Sequence, residues 1–451
     1  MFSAPTAVNL EITDVCNAQC RHCYNYWRRK NIHFHSLDRK KMDRLIDIFA
    51  DSGVFHVVLS GGEPFANFDI LEYAIGRLLK KNISVSCNSN LMLATEEKIK
   101  RLVDKGLDHI LTSLNSYDPE TNDYMVCHKG AFQKIIKGIK IAVKQGLRIS
   151  VNMIVSQKNK EHLYRTGRLA HELGCQKIFG TRIVPPFPVR NVNESELYFS
   201  KEDALRTLDE LIRIKEETGI MIGILVSYPL CLLGDLQRYK DFVGRGCPGQ
   251  SGHFMSITAS GETHACVHEE MSHGNIFEIG IHQAYSNMKE WYGKQYRYTG
   301  CEGCQYLDVC KSGCRMSAKA YFGKMNERDY LMTGKEQIKK PFNLVTDQKI
   351  YNYIDASGTF MAPKRLRFRR EKDVYLVNIR WANTVTCPLD VGEFLLRQRD
   401  SSRRFTINDL GPMHRELLAR LYCKDAVVAD FSDYRDQRNK LGLGVDILNT
   451  T

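Results

Sequence analysis

From residue 7 to about residue 225 the chain alternates short, β-branched apolar runs with longer stretches in which apolar positions recur every three or four residues. The short runs predict strands at Val8–Ile12, Val54–Leu59, Ile83–Cys87, His109–Leu114, Arg148–Val155, Lys177–Val184 and Ile220–Val226. The helical period predicts helices at Asp38–Ala50, Ile70–Lys80, Glu96–Lys105, Phe132–Gln145, Lys160–Leu173 and Lys201–Glu217. Strand alternating with helix is the signature of βαβ units with parallel strands. Six units and a terminal strand predict an α/β fold, a partial (β/α)6 TIM-like barrel. Function in such barrels gathers on the loops after the strand C-terminal ends.

Those loops are polar. Strand one is followed by Cys16-Asn17-Ala18-Gln19-Cys20-Arg21-His22-Cys23, and strand two by Ser60-Gly61-Gly62-Glu63-Pro64. Asn88 ends strand three, Ser113 and Asn115 end strand four, Asn152 lies on strand five and Arg182 on strand six.

Composition narrows the class. The 451 residues carry 64 Lys and Arg against 52 Asp and Glu, a net of +12, with 43% hydrophobic and 26% charged residues. That is ordinary globular composition, with room for about three domains. No apolar run approaches the ~18 residues of a membrane span, and the start lacks the basic-then-apolar order of a secretory signal. A cytoplasmic protein with no membrane partner is expected. Fifteen cysteines in such a chain point to metal ligation, catalysis or burial rather than to disulfides. They bunch: three lie within residues 16–23 and four within 301–314.

Cys16, Cys20 and Cys23, spaced C-x3-C-x2-C on one loop, can hold three irons of an iron–sulfur cube and leave the fourth open. With Gly61-Gly62-Glu63-Pro64 on the next strand, this resembles the radical S-adenosylmethionine (SAM) enzymes. The resemblance implies a 4Fe–4S cluster whose open iron is chelated by SAM, over about residues 5–225. It also implies cofactor contacts at Gly61, Gly62, Glu63 and Pro64 and, less specifically, at Asn88, Ser113, Asn115, Asn152 and Arg182. Lys129 takes the place of the Arg that often follows the strand-four loop in peptide-modifying members.

Farther on, Cys247 precedes Gly261-x4-Cys266, and Cys301, Cys304, Cys310 and Cys314 form C-x2-C-x5-C-x3-C. The combination resembles the SPASM domain, which holds two auxiliary 4Fe–4S clusters. Carried over by position, the first cluster uses Cys247, Cys266 and Cys314, with Cys231 as its fourth ligand, and the second uses Cys301, Cys304 and Cys310. The cysteine that usually closes the second cluster is missing. Asp329 is the expected replacement, with a returning Cys387 or an open iron as alternatives. His268 and Glu269, just after Cys266, are candidate bases; no other catalytic residue stands out.

Beyond about residue 340 the cysteine pattern stops. Lys364–Arg370 and Val374–Ile379 read as paired strands, Leu389–Gln398 and Met413–Tyr422 as helices, and Val427–Phe431 as a strand closing the sheet. This α+β segment resembles a small winged-helix module similar to the pyrroloquinoline quinone peptide chaperone, which implies capture of a peptide leader by an exposed strand edge. Residues 361–451 carry 17 Lys and Arg against 12 Asp and Glu, a net of +5, with no stacking series of aromatics, so no nucleic-acid partner is expected.

The expected organisation is a radical SAM core at 1–226, an auxiliary-cluster domain at 227–335 and the winged-helix-like domain at 345–451. The expected activity is oxidative modification of a ribosomally made precursor peptide, with crosslinking favoured and an electron donor such as flavodoxin or ferredoxin. The alternatives are a maturase of a folded protein, a small-molecule dehydrogenase of similar build, and a non-enzymatic zinc- or cluster-bound adaptor.

Overall fold

A computed structural model describes residues 2–25, 34–185, 200–244, 246–341, 348–356, 358–380, 383–423 and 426–429. The chain divides near residue 342 into two compact units.

The first unit is built on a nine-stranded sheet of order β7-β6-β5-β4-β3-β2-β1-β8-β9. Its strands are β1 (Ala7–Glu11), β2 (His56–Ser60), β3 (Ser84–Asn88), β4 (His109–Ser113), β5 (Arg148–Val155), β6 (Lys177–Arg182), β7 (Met221–Gly223), β8 (Phe254–Ile257) and β9 (Thr263–His264). Helices α1 (Arg39–Asp51), α2 (Phe68–Lys80), α3 (Glu96–Asp104), α4 (Pro119–Val126), α5 (Ala131–Lys144), α6 (Leu163–Glu172) and α7 (Lys201–Thr218) connect them. Strands β1 to β7 pair in parallel, each with the next, which gives the partial barrel.

Local chemistry sets the helix ends. Asp38 caps α1 by accepting from the Lys41 N–H, and Met42, Leu45, Ile46 and Phe49 bury its apolar stripe. A reciprocal capping box between Ser200 and Asp203 starts α7, and Gly219, in the left-handed region, ends it.

The expected boundary at residue 226 does not separate two bodies. β8 lies parallel to β1, with Ala7 opposite Phe254, and Asn9 Nδ2 donates to Ser256 Oγ at 3.2 Å. The cysteine-rich segment therefore extends the barrel sheet, and residues 3–342 form one unit.

The second unit holds an antiparallel sheet of β11 (Arg367–Arg370), β12 (Tyr375–Arg380) and β13 (Asn383–Cys387), and a separate sheet of β10 (Phe360–Met361), β14 (Arg404–Phe405) and β15 (Val428–Ala429) in the order β14-β10-β15. Phe360, Val377, Leu395, Phe405, Leu418 and Tyr422 are among its core. Val428–Ala429 pairs with Phe360–Met361 and so joins the smaller sheet instead of closing the larger one; Asp430 and Phe431 lie outside the described residues. Asn383–Cys387 is a strand that the apolar pattern missed, because Asn, Thr and Thr dilute its hydrophobic signal.

Candidate active site

The segment carrying Cys16, Cys20 and Cys23 leaves β1 and is clamped from two sides. The Gly62 N–H donates to the Thr13 carbonyl at 2.7 Å, and the Glu63 N–H to the Val15 carbonyl at 2.8 Å. Opposite, the Gln19 and Arg21 N–H groups donate to the Val126 and Met125 carbonyls at the end of α4, and the Arg21 guanidinium lies 3.9 Å from the centre of the Tyr124 ring. A Cβ on Gly61 would stand 2.3 Å from the Thr13 oxygen, and one on Gly62 2.2 Å from the Val15 oxygen. The two glycines thus let strand-two backbone approach the cysteine segment itself.

Glu63 is buried and its carboxylate is committed to the scaffold. Oε1 accepts from the Phe65 N–H at 3.0 Å and Ser89 Oγ at 2.6 Å, and Oε2 from the Asn90 N–H at 2.8 Å. Burial raises its pKa in spite of these bonds. Asn90 Nδ2 then donates to Asn17 Oδ1 at 2.7 Å, which ties strand three to the cysteine segment. Ser89, Asn90 and Asn17 were missed in the sequence, although the Asn88-Ser89-Asn90 run after strand three was a visible signal. Pro64, buried, begins the turn into α2.

The remaining rim residues differ in their freedom. Asn88 and Ser113 are partly buried at the ends of β3 and β4. Asn115 is fully buried; its Oδ1 accepts from the Ile154 N–H, while its Nδ2 has no partner among the described residues. A buried unpaired donor on this rim suits a polar ligand. Asn152 Oδ1 accepts from Thr181 Oγ1 at 2.7 Å. Lys129 is exposed on the turn between α4 and α5.

Arg182 corrects an expectation. It is fully buried, its Nη1 donates to Asp329 Oδ1 at 3.0 Å, and its Nη2 donates to Asp329 Oδ2 and the Ser227 carbonyl. Burial works against its charge, but Asp329 outweighs burial and holds the pKa up. Its fork is therefore spent on Asp329 and is not offered to a nucleotide.

The same pair removes Asp329 as a cluster ligand. Oδ1 also accepts from the Leu331 N–H at 3.1 Å and Oδ2 from the Cys314 N–H at 2.8 Å, which leaves no oxygen for iron. Cys387 is no alternative, since it is fully buried in the core of the second unit.

Cys231 stands with the second set of cysteines. Cys231, Cys301, Cys304 and Cys310 line one cavity of about 270 Å³, together with Tyr298, Tyr306, Arg328 and Lys335. The Leu230 N–H points at the Cys310 sulfur at 3.4 Å and the Thr333 N–H at the Cys231 sulfur at 3.5 Å. The expectation that Cys231 joins the first set is thus corrected: the short helix Leu230–Leu233 turns it toward the other cysteines. Among the described residues, no three His, Cys, Asp or Glu side chains converge as a single metal ion requires. Four thiols around a cavity of this size suit a larger iron–sulfur cluster.

Cys247, Cys266 and Cys314 form the other set. Burial, and then the neighbouring thiols, push Cys247 up and Cys266 well above the ordinary thiol range. Such thiols give up their protons when a cation such as iron binds the sulfur. The Ser317 N–H donates to Cys314 Sγ at 3.4 Å. Cys16 is exposed at the surface, yet partial loss of solvent around its sulfur pushes the thiol up to about 11, with Glu63 and Cys23 adding to it.

Of the two candidate bases, Glu269 is fully engaged. It accepts from Trp291 Nε1 at 2.8 Å and the Ala265 N–H at 2.9 Å, and lies 3.2 Å from His273 Nε2. It is a scaffold residue. His268 is only partly covered, its ring centre 5.7 Å from that of Tyr24, the neighbour of Cys23. It therefore stands between the first cysteine segment and Cys266.

Residues 10–170 match the family model described as the Radical SAM superfamily. Residues 10–170 thus form a radical SAM domain. The matched stretch runs from β1 into α6 and contains the three-cysteine segment with its clamps. Over 351 residues the chain is 26% identical to an AdoMet-dependent heme synthase of Methanosarcina barkeri, covering 73% of this chain and 96% of that protein. Over 340 residues it is 27% identical to a PqqA peptide cyclase of Granulibacter bethesdensis, covering 72% and 86%. The radical SAM fold here is similar to the crystal structure of Streptococcus suis SuiB bound to precursor peptide SuiA, with a TM-score of 0.58 at 18% identity, over 73% of this chain and 76% of that one. Among the described residues no helix is long and apolar enough to cross a membrane.

Proposed function

We propose that this radical SAM enzyme oxidatively modifies a ribosomally made precursor peptide, most simply by forming a crosslink. The observation that carries this reading is the gathering, in one compact unit, of the clamped three-cysteine segment and two further, partly buried cysteine sets. Likeness to a PqqA peptide cyclase and to a fold crystallised with a precursor peptide supports a peptide substrate.

The residues fit the cofactors. Cys16, Cys20 and Cys23 would hold three irons of one 4Fe–4S cluster, and Asn115 Nδ2 is a spare donor for SAM. Cys247, Cys266 and Cys314 would hold a second cluster, and Cys231, Cys301, Cys304 and Cys310 a third. With these groups bound, reduction of the first cluster supplies a 5′-deoxyadenosyl radical that takes a hydrogen atom from substrate. The chain's part is to fix that segment between Gly61–Glu63 and α4, and to hold seven further cysteines as ligands for the clusters that would accept the electron released by substrate oxidation. An acidic one-electron carrier of the flavodoxin or ferredoxin kind would supply the reducing electron. In the second unit, β11 and β13 are the outer strands of their sheet. Either is an edge to which an extended leader would add as a further strand.

The test is anaerobic co-expression with short open reading frames beside the gene, followed by mass spectrometry. A loss of about two mass units per modification supports crosslinking or dehydrogenation. Unchanged peptide mass without solvent deuterium overturns the peptide reading. The match to 96% of a heme synthase favours a small-molecule substrate as the second reading, and turnover of a porphyrin-class compound would then be expected.

A further inference from the structure

Arg315 follows Cys314 directly, at the first position of the helix Arg315–Phe322, and is fully buried. A buried guanidinium is costly unless negative charge faces it. Yet the hydrogen bonds of Arg315 all go to backbone carbonyls: Nη1 donates to Tyr296 at 3.0 Å, Met325 at 2.8 Å and Glu327 at 2.9 Å, and Nη2 donates to Ser312. Its Nε is buried without a partner.

The buried acid nearby is already taken. Asp329 is held in bidentate fashion by Arg182. Arg182, Asp329 and Arg315 therefore leave one positive charge unbalanced in the interior. Burial lowers the pKa of Arg315; the groups that oppose burial are Asp329 and then Cys314, Cys247 and Cys301. Cys314 and Cys247 belong to one cysteine set and Cys301 to the other. Ser312, whose carbonyl the guanidinium grips, lines the cavity of the Cys301 set. A single fixed cation thus follows Cys314 of one set directly in the chain and grips, through Ser312, the wall of the cavity that holds the other, with its geometry locked by four carbonyls.

We propose that Arg315 is a positioning residue that sets the redox poise of both auxiliary sites. A thiolate-bound cluster gains negative charge when reduced, so a nearby buried cation favours the reduced state and raises the potential. Arg182 cannot do this, because Asp329 cancels its charge. The proposal rests on the two-auxiliary-cluster reading above.

The experiment uses the full chain with Cys16, Cys20 and Cys23 all changed to Ala, so that only auxiliary clusters report. Electron paramagnetic resonance is followed through a redox titration for the parent, Arg315→Gln and Arg315→Lys. The expected result is a tenfold or larger loss in the one-electron reduction equilibrium of both clusters in Arg315→Gln, about 59 mV or more. Arg315→Lys keeps the charge and stays close to the parent. Unchanged potentials in an iron-replete Arg315→Gln protein overturn the proposal. So does an Arg315→Lys protein shifted as far as Arg315→Gln, which would make the carbonyl bonds the whole role. If Arg315→Gln does not retain iron, Arg315→Lys decides: parental potentials uphold the proposal, and lost or shifted clusters overturn it. The underlying reading fails separately, and first, if the natural chain binds about four iron instead of about 12.

Discussion

Arg182, at the end of β6, and Asp329, in the last stretch of the cysteine-rich segment, meet as a two-pronged ion pair with neither side chain exposed. The pair fastens the barrel rim to the backbone of Cys314, whose N–H donates to the same carboxylate. One relationship thus explains why neither residue is available for the cofactor role its position suggested.

Removing one partner leaves a buried charge unpaired, at a cost of about 3–5 kcal/mol. Asp329→Asn is therefore expected to unfold at markedly lower temperature in a thermal melt. Iron bound per folded chain should stay as in the natural protein. A drop of about four iron would return Asp329 to the ligand set.

Cys231→Ala is expected to lose or convert the same cluster signal as Cys301→Ala, and to spare the one lost in Cys266→Ala. Paramagnetic resonance of the reduced proteins, with iron analysis, distinguishes the two groupings. A shared phenotype for Cys231 and Cys266 would reverse the assignment drawn from the cavity.

Gly62→Ala forces a methyl to within 2.2 Å of the Val15 oxygen, so the cysteine segment must move. Iron is expected to fall from about 12 to about eight per chain, with deoxyadenosine formation abolished and the auxiliary signals kept. Retention of all three clusters would show that the segment tolerates displacement.

His268 gives a pH dependence with a defined sign. Burial lowers its pKa to about 4, below the ordinary imidazole value of 6.5. The unfolded chain therefore binds the extra proton between those values, and stability falls as pH drops from 6.5 to about 4. The loss is at most about 3 kcal/mol at 1.36 kcal/mol per unit, and less because the side chain is only partly covered. Chemical denaturation of His268→Gln across that window should show a shallower decline than the natural protein.

Deletion of residues 343–451 is expected to weaken leader-peptide binding at least tenfold, about 1.4 kcal/mol, in fluorescence anisotropy. Unchanged affinity would remove the leader role from the second unit.

Much of the barrel was legible because each element obeys one local rule. Arg148–Val155 and the helix Glu96–Asp104 follow simple apolar periods, and Asp38, Ser200 and Gly219 mark helix ends by short-range hydrogen bonding or backbone geometry. β8 was harder. Its four residues pair with β1 across nearly the full length of the barrel segment, and no local pattern announces such a partner.

The cysteine spacings by themselves determined the chemistry, because three thiols within eight residues can reach one cluster whatever the rest of the fold does. The sequence also located the Gly-Gly-Glu-Pro turn. Which cysteines share a cavity, and whether a carboxylate is engaged by an arginine, were decided only by the tertiary structure. Cys231 lies 70 residues before Cys301 in the chain but lines the same cavity, while Asp329 is drawn away by an arginine 147 residues upstream. Ligand type is a property of the side chain; ligand availability depends on every charge and hydrogen bond that folding brings beside it.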